Sequence, residues 1–353
     1  TNLTVTGAEY GFSLTNVDVG YLTDLNASNN VMLDFGGYPI VISATSSFIE
    51  LDGLDAFNND ENIQLYAPNS SYINITTNDD LYPSGQYSNY TNITVTEGYI
   101  SNPGSNSVYR NINVDSTTEN AMHLGLAAQN IHIIGGNMTT TSGYGVFITN
   151  PSGASYPKNN VFEDVYIKGD TADVGLGGDS DPDIASRNHS FINCTYASEV
   201  VGPYAELNKK WHYQAHVNDT GGNVVPGATI AVYDKDNVLR ESWMTNSSGN
   251  VIGNLREYLR VGGTKTYYAN YTIYAYNDTH VGNMTINVTT NFMDEVITVS
   301  LDNNKPNVFG INVSESGNDM LVSWNTSEPA NSSVNYGETT SLGNISNSST
   351  FEI

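Results

Sequence analysis

The chain has 353 residues, long enough for two or three domains, and its apolar residues (39 %) and 24 tyrosines can fill thin hydrophobic cores. Charged residues make up only 14 %, and 37 acidic against 12 basic side chains give a formal net charge of −25. This charge excludes nucleic acid and anionic membranes as expected partners, because both would be repelled, and it favours cations. No apolar run reaches membrane-spanning length and no signal peptide is present, so we expect Thr1 to follow a removed signal.

A short pattern recurs through about the first 200 residues: an Asn- or Ser-led opening, several residues that alternate apolar with polar, and Gly, Asp or Asn at a bend. Copies occur at residues 70–75, 90–95, 129–138, 160–167 and 188–196. Alternation with a period of two predicts strands, and copies spaced by roughly 20 to 30 residues predict stacked units. The pattern therefore predicts an all-β chain that opens with a right-handed parallel β-helix over 1–205, each copy forming one coil.

The last two copies align with each other, 162–167 with 191–196, which places Asp164 or Asn193 at a corner between two strands. Short polar side chains suit a corner because they tolerate left-handed backbone and satisfy local backbone groups. The single cysteine excludes a disulfide within the chain, and it is interpreted as a small buried hydrophobe rather than a reactive thiol. Side chains expected to point inward include Ile131, Ile133, Phe162, Val165, Phe191 and Cys194.

These coils resemble the pectate-lyase-like and NosD-like β-helix superfamily, and the resemblance implies carboxylate pairs such as Asp79-Asp80 and Glu163-Asp164 in its polysaccharide-cleaving members. The motifs Gly-His-Gly and Arg-Ile-Lys and the Arg-rich lyase motif are absent. This part of the chain has only four bases, too few for the cationic cleft that a lyase acting on acidic sugars needs. His123, His132 and His189 fall in separate coils without metal-ligand spacing, and each is interpreted as a half-exposed strand residue.

Residues 206–303 follow a different pattern. The run from Gly221 to Ala228, with Pro226-Gly227 at its turn, leads into an apolar strand, and Thr245 opens a Thr-x-x-x-Gly motif. This combination resembles the carboxypeptidase-regulatory-like family, which implies a small β-sandwich. Asn246 stands where that family often has Asp, which weakens a cation role at this position.

Residues 304–353 include a stretch, 319–337, that resembles fibronectin type III domains, with Trp324 as the core tryptophan. A complete domain of this kind needs about 100 residues, so only a partial sandwich is expected here. Either the natural chain continues past Ile353, or a strand from a neighbouring copy completes the sandwich. The alternating stretch 1–6 is the obvious donor strand for the second option.

The best acidic constellation is a Gly-rich run with carboxylates at every second position, Asp179, Asp181 and Asp183. Hard oxygen ligands at this spacing suit Ca²⁺. The run lacks the Gly-x5-Glu remainder of an EF-hand loop, so a solvated acidic loop is the alternative interpretation.

About 20 asparagines begin Asn-x-Ser/Thr sequons, roughly twice the number expected by chance. The excess predicts a secreted, N-glycosylated chain of archaeal surface-glycoprotein type, and an Asn/Thr-rich composition with unused sequons is the alternative. Asn193 also begins a sequon but is expected to face inward and to remain unmodified. The candidate glycosylation sites are Asn2, Asn26, Asn69, Asn74, Asn89, Asn92, Asn137, Asn188, Asn218, Asn246, Asn270, Asn277, Asn283, Asn287, Asn312, Asn325, Asn331, Asn344 and Asn347.

These observations favour a non-enzymatic extracellular glycoprotein, a structural subunit of a cell-surface layer, sheath or filament whose partners are copies of itself. The alternative is a carbohydrate-active β-helix enzyme, a hydrolase or lyase, with accessory sandwiches. A third hypothesis is an adhesin that binds carbohydrate without cleaving it. A pair of carboxyl groups about 5 to 10 Å apart in a groove would favour the enzyme.

Overall fold

A computed structural model describes residues 3–6, 12–14, 20–28, 40–42, 48–58, 62–125, 128–149, 157–177, 185–301, 308–316, 319–326, 332–337 and 344–348. Over these residues the fold is all-β, with thirty strands and no helix, and it contains two long parallel sheets. Within the same residues no helix is long and apolar enough to cross a membrane.

Sheet 1 contains the longer strands of the parallel part, in which every neighbouring pair runs parallel. Its strands, numbered along the chain, are β1 (Leu3–Thr6), β3 (Gly20–Ser28), β5 (Ile49–Ala56), β7 (Ser71–Thr77), β9 (Asn89–Glu97), β11 (Val108–Ser116), β13 (His132–Thr140), β15 (Val161–Lys168), β17 (His189–Ile192) and β19 (Glu206–Asp219).

Sheet 2 contains the short strands between them, also parallel throughout. They are β2 (Phe12–Leu14), β4 (Ile40–Ile42), β6 (Ile63–Leu65), β8 (Leu81–Tyr82), β10 (Ile100–Ser101), β12 (Met122–Leu124), β14 (Tyr144–Ile148), β16 (Ala172–Leu176) and β18 (Glu199–Val201). The chain thus visits the two sheets in turn, and we call one strand of each sheet a repeat. This alternation is compatible with the β-helix expected from the sequence.

The register between repeats agrees with the alignment made from the sequence. Phe162 pairs with Phe191, and Tyr166 forms a bridge with Thr195. All six side chains expected to point inward are buried in one apolar core, with at most 1 % of their surface exposed. Alternation identified them together with the corner expected at Asp164 or Asn193, which puts the inward residues on its two sides three positions apart rather than two.

Aromatic side chains form a column inside this core because in-register parallel strands place equivalent residues above one another. Tyr72 stacks on Tyr90 with ring centroids 4.9 Å apart, and Tyr90 stacks on Tyr109 at 4.5 Å. Phe162 and Phe191 continue the column at 4.8 Å. The tyrosine hydroxyls reach backbone carbonyls, as in the 2.8 Å bond that Tyr109 donates to Pro83, so the polar atoms of the column are satisfied.

Asparagines with left-handed backbone form a ladder along the middle of sheet 1. Asn74, Asn92 and Asn111 have φ between 53° and 55° and stand at equivalent positions of β7, β9 and β11. Asn92 donates from Nδ2 to Oδ1 of Asn74 at 3.0 Å and accepts from Asn111 at 2.9 Å. Asp164 and Asn193 occupy the same corner further along the sheet, as predicted from their short polar side chains. Asparagine fits here because it tolerates this backbone and its amide both donates and accepts.

One expectation about this corner is wrong. Asn193 does not point inward, since its side chain is half-buried and donates from Nδ2 to Oδ1 of Asp164 on the outer face. The left-handed residue interrupts the strand alternation, so that position 193 faces outward while Cys194 faces the core.

The strand β19 continues from sheet 1 into a mostly antiparallel part, where it pairs antiparallel with β22 and parallel with β26. A second apolar core, built around Tyr213, Ile230 and Ile273, fills this part. Its further strands are β20 (Thr229–Tyr233), β21 (Leu239–Met244), β22 (Asn250–Val261), β23 (Thr264–Tyr267), β24 (Tyr271–Tyr276), β25 (His280–Ile286) and β26 (Phe292–Leu301).

Two antiparallel hairpins follow, β27 (Val308–Ser316) with β28 (Asp319–Thr326) and β29 (Ser332–Tyr336) with β30 (Asn344–Ser348). Trp324, the expected core tryptophan, is only half-buried. Several large apolar side chains of these strands are more than half exposed: Val308, Phe309, Ile311, Val313, Met320, Leu321, Tyr336 and Ile345.

Candidate functional site

Four titratable side chains converge where the parallel part meets the antiparallel part. Glu163 and Asp164 lie on β15, His132 on the neighbouring β13, and His212 on β19. Successive strand residues normally face opposite sides, but Asp164 has a left-handed φ of 58°, so Glu163 and Asp164 both face away from the core. We call these four residues the His-carboxylate cluster.

The distances within the cluster are short. His132 Nε2 lies 2.8 Å from Glu163 Oε2, and His212 Nε2 lies 3.1 Å from Asp164 Oδ1 and 3.8 Å from Glu163 Oε1. One ligand atom each from Glu163, Asp164 and His212 falls within 4.8 Å of the others, a spacing that a single metal ion can bridge. Imidazole nitrogen with carboxylate oxygen is a ligand set that suits Zn²⁺ and similar transition metals.

The two ring nitrogens of His212 have different neighbours. Nδ1 lies 2.9 Å from Oδ1 of Asn254. Nε2, the other ring nitrogen, faces the carboxylates of Glu163 and Asp164. An amide oxygen behind the ring is also the partner that metal-binding histidines commonly have.

Beside the cluster lies an open polar groove of about 400 Å³. Tyr166, 44 % exposed, contributes an aromatic ring and Asp164 contributes a carboxylate that also belongs to the cluster. The remaining lining is mostly amide and small side chains: Asn111, Asn113, Gly136, Asn137, Val165, Asn193 and Thr195. Such a surface can hydrogen-bond to the hydroxyl groups of a sugar.

The sequence pointed to the pair Glu163-Asp164 but did not predict that His132 and His212 lie beside it. His132 is not an isolated strand residue, because it pairs with Glu163 across neighbouring strands. His212 lies 48 residues from Asp164, and no local motif joins them. They come together only because β19 continues beyond its pairing with β17 in sheet 1 into the antiparallel part.

The other proposed catalytic and metal residues are separate from it. Asp179, Asp181 and Asp183 lie outside the described residues, so the Ca²⁺ site stays a prediction. Asp79 and Asp80 are half-buried, and burial together with the nearby acidic groups Asp79 and Glu119 raises the pKa of Asp80, against hydrogen bonds from Tyr99 that lower it.

Three further side chains that the sequence analysis discussed are buried or partly buried. Burial raises the pKa of the Cys194 thiol to about 12, in keeping with an unreactive core residue. His123 is half-buried, as expected. His189 is fully buried rather than half-exposed, and its Nε2 lies 2.8 Å from Ser186 Oγ.

The described sequon asparagines lie on the surface. Asn193, Asn218 and Asn277 are half-buried, and the others with described side chains are exposed: Asn69, Asn74, Asn89, Asn92, Asn137, Asn188, Asn246, Asn270, Asn283, Asn287, Asn312 and Asn325. The two buried asparagines among the described residues, Asn160 and Asn208, do not begin sequons. Asn2 and Asn331 lie outside the described residues, as do the side chains of Asn26, Asn344 and Asn347.

No known protein-family model matches the chain, and a search of curated proteins finds no match.

Proposed function

We propose that the chain is a non-enzymatic, N-glycosylated extracellular protein, a structural subunit that assembles with its own copies in a cell-surface layer, sheath or filament. In this proposal residues 1–205 form a right-handed parallel β-helix, 206–303 a carboxypeptidase-regulatory-like sandwich and 304–353 a partial fibronectin type III-like domain. The two alternating parallel sheets, the antiparallel part and the terminal hairpins support that architecture.

The observation that carries the proposal is the placement of the sequons. An N-linked sugar must project into solvent, because it would not fit inside a close-packed core. No described sequon side chain is fully buried, whereas the buried Asn160 and Asn208 lack the motif. The motif therefore follows the surface of the fold, as selection for glycosylation requires.

The asparagine ladder is compatible with this modification. Asn74 and Asn92 both donate from Nδ2, the atom that would carry the sugar. The amide nitrogen has two hydrogens and the glycosidic bond replaces one, so the other remains available to the ladder. Asn193 is still expected to stay unmodified, because its side chain is half-buried beside Asp164 whereas Asn74 and Asn92 are exposed.

Two measurements on protein from its native source test the proposal. Glycopeptide mass spectrometry should find sugars on exposed sequons such as Asn74, Asn92 and Asn137, and imaging of the native particle should show a repeating lattice or fibre. An unmodified chain would contradict the assignment to a glycoprotein. A glycosylated chain that remains monomeric at the cell surface would contradict the structural role and favour adhesion.

The second candidate is a carbohydrate-active enzyme, and the groove beside Asp164 and Tyr166 is the observation that favours it. Its lining is less suitable for hydrolysis than for binding. Only one carboxylate, that of Asp164, lines the groove, whereas glycosidases place two carboxyl groups on either side of the bond they cleave. We therefore propose that the groove contacts carbohydrate without cleaving it.

A panel of neutral and acidic polysaccharides distinguishes these candidates. The proposal expects no release of reducing ends or unsaturated products from any of them. Turnover that Asp164→Asn, Glu163→Gln or Asp80→Asn abolishes would establish the enzyme instead, and Asp179→Asn tests the acidic loop in the same assay.

A further inference from the structure

A second pocket, of about 210 Å³, lies in the antiparallel part and differs in charge from the rest of the molecule. It is lined by Lys210, Leu239, Arg240, Glu241, Arg256, Tyr268 and Tyr271. Three of the 12 bases of the whole chain meet here, against the single carboxylate of Glu241. In a protein of net charge −25 such a concentration of bases is a local reversal of charge.

Two of these bases lack a counter-charge. Among the described residues neither Lys210 nor Arg256 forms an ion pair, and Nε of Arg256 is buried without a hydrogen-bond partner. Burial first, and repulsion by Arg256 second, lower the pKa of Lys210, while Glu241 opposes the shift. The positive charges of Lys210 and Arg256 are thus not compensated by an ion pair, so an anion that enters the pocket would be stabilised.

The guanidinium groups are held in position before any ligand arrives. Arg240 donates from Nε to the buried carboxylate of Asp234 at 2.7 Å and lies 4.8 Å from the centre of the Tyr268 ring. Arg256 lies 5.1 Å from the centre of the same ring, and Tyr271 donates to its backbone carbonyl at 2.8 Å. Fixed donors lose little conformational freedom on binding, which favours recognition of small anions.

We infer that this pocket binds a single oxyanion group, a carboxylate, sulfate or phosphate, through the guanidinium of Arg256 and the ammonium of Lys210. Its volume is below the 300 Å³ or more typical of sites for drug-sized molecules, so it fits one charged group rather than a whole ligand. The group can be a free ion or the acidic substituent of a sugar. The inference does not depend on the proposed structural role.

Calorimetric titration of the full chain at constant ionic strength tests the inference, with sodium glucuronate, sulfate and phosphate as probes and chloride as the reference salt. We expect at least one probe to bind, and Arg256→Gln to weaken its binding at least tenfold. Arg110→Gln, which removes an exposed base of sheet 1, is the matched control and should leave binding unchanged. Preference for glucuronate indicates a carboxylate ligand, and preference for sulfate or phosphate a tetrahedral one.

Two outcomes would overturn the inference: binding of no probe above the chloride reference, or equal binding by the Arg256→Gln and Arg110→Gln variants. Circular dichroism verifies that the variants fold. If Arg256→Gln does not fold, Lys210→Gln replaces it, because this side chain lies at the pocket wall and forms no described hydrogen bond. It too should weaken binding relative to the control.

Discussion

The rings of Tyr90 and Tyr109 lie parallel, 4.5 Å apart with 2° between their planes, in the middle of the parallel part. Each belongs to a different repeat, and both are fully buried. Substituting one of them therefore tests how strongly one repeat stabilises the next.

We expect Tyr90→Ala to lower the free energy of unfolding by about 3–5 kcal/mol, because it removes a buried aromatic ring from both its neighbours. Tyr90→Phe should cost only about 1 kcal/mol, since the hydroxyl makes long contacts of 3.4 and 3.5 Å to carbonyls. Tyr166→Ala, at an exposed position, is the control and should stay within about 0.5 kcal/mol of the parent. Denaturant unfolding measures all three, and equal effects of Tyr90→Ala and Tyr166→Ala would contradict the packing described.

The ladder predicts an unusual order of substitutions at Asn92. Glycine should be less destabilising than alanine, by about 1 kcal/mol, because both lose the ladder bonds but only alanine has the cost of left-handed backbone at a φ of 55°. At Thr94, a half-buried position with ordinary strand backbone, the order should reverse. Thermal unfolding of the four variants gives the comparison. If Asn92→Ala is more stable than Asn92→Gly, the left-handed conformation at this corner is wrong.

His189 predicts a loss of stability in acid. Burial lowers the pKa of His189 to about 3, against about 6.5 in the unfolded chain. Between these values the unfolded state binds the extra proton, so stability is complete above pH 6.5 and falls towards pH 3, by up to about 1.4 kcal/mol per pH unit.

His189→Gln should flatten this part of the stability profile, and His280→Gln, at a half-exposed position, should not. Urea unfolding at pH 7, 6, 5 and 4 gives the difference from the parent. The difference is needed because carboxylates with lowered pKa, such as Asp173, also lose stabilisation in acid. Identical slopes in the parent and His189→Gln would contradict the assignment.

The His-carboxylate cluster predicts stabilisation by Zn²⁺. If the dissociation constant is about 1 µM, 100 µM metal should add about 2.7 kcal/mol to the free energy of unfolding, and EDTA should reverse the effect. His212→Gln should abolish the gain while His280→Gln retains it. Stabilisation that survives both His212→Gln and Asp164→Asn would locate the metal elsewhere, and the acidic run 179–183 would be examined next.

Prediction from sequence succeeded where it needed only neighbouring residues. Alternation identified inward side chains such as Ile131 and Ile133, because a strand in contact with a core selects every second position. The preference of Asp164 for a corner followed from its short polar side chain. The orientation of Asn193 did not, because one left-handed residue reverses which neighbour faces the core.

Contacts between distant segments could not be predicted. His212 reaches Asp164, and Arg256 reaches the pocket of Lys210, only because β19 pairs with β17 on one side and with the more distant β22 on the other. No spacing in the sequence encodes such a register. The basic pocket could not be predicted either. The composition shows only that bases are scarce, whereas the fold brings three of them together in one pocket.

The strand β19 has a mechanical consequence. Its first residues pair with β17 in parallel, and nearly all its length pairs with β22, so one continuous strand belongs to both parts and no linker separates them. A force pulling the two parts apart along the direction of β19 would load many of these hydrogen bonds at once rather than opening them one by one. The junction would therefore transmit tension between the two parts and keep their relative orientation fixed.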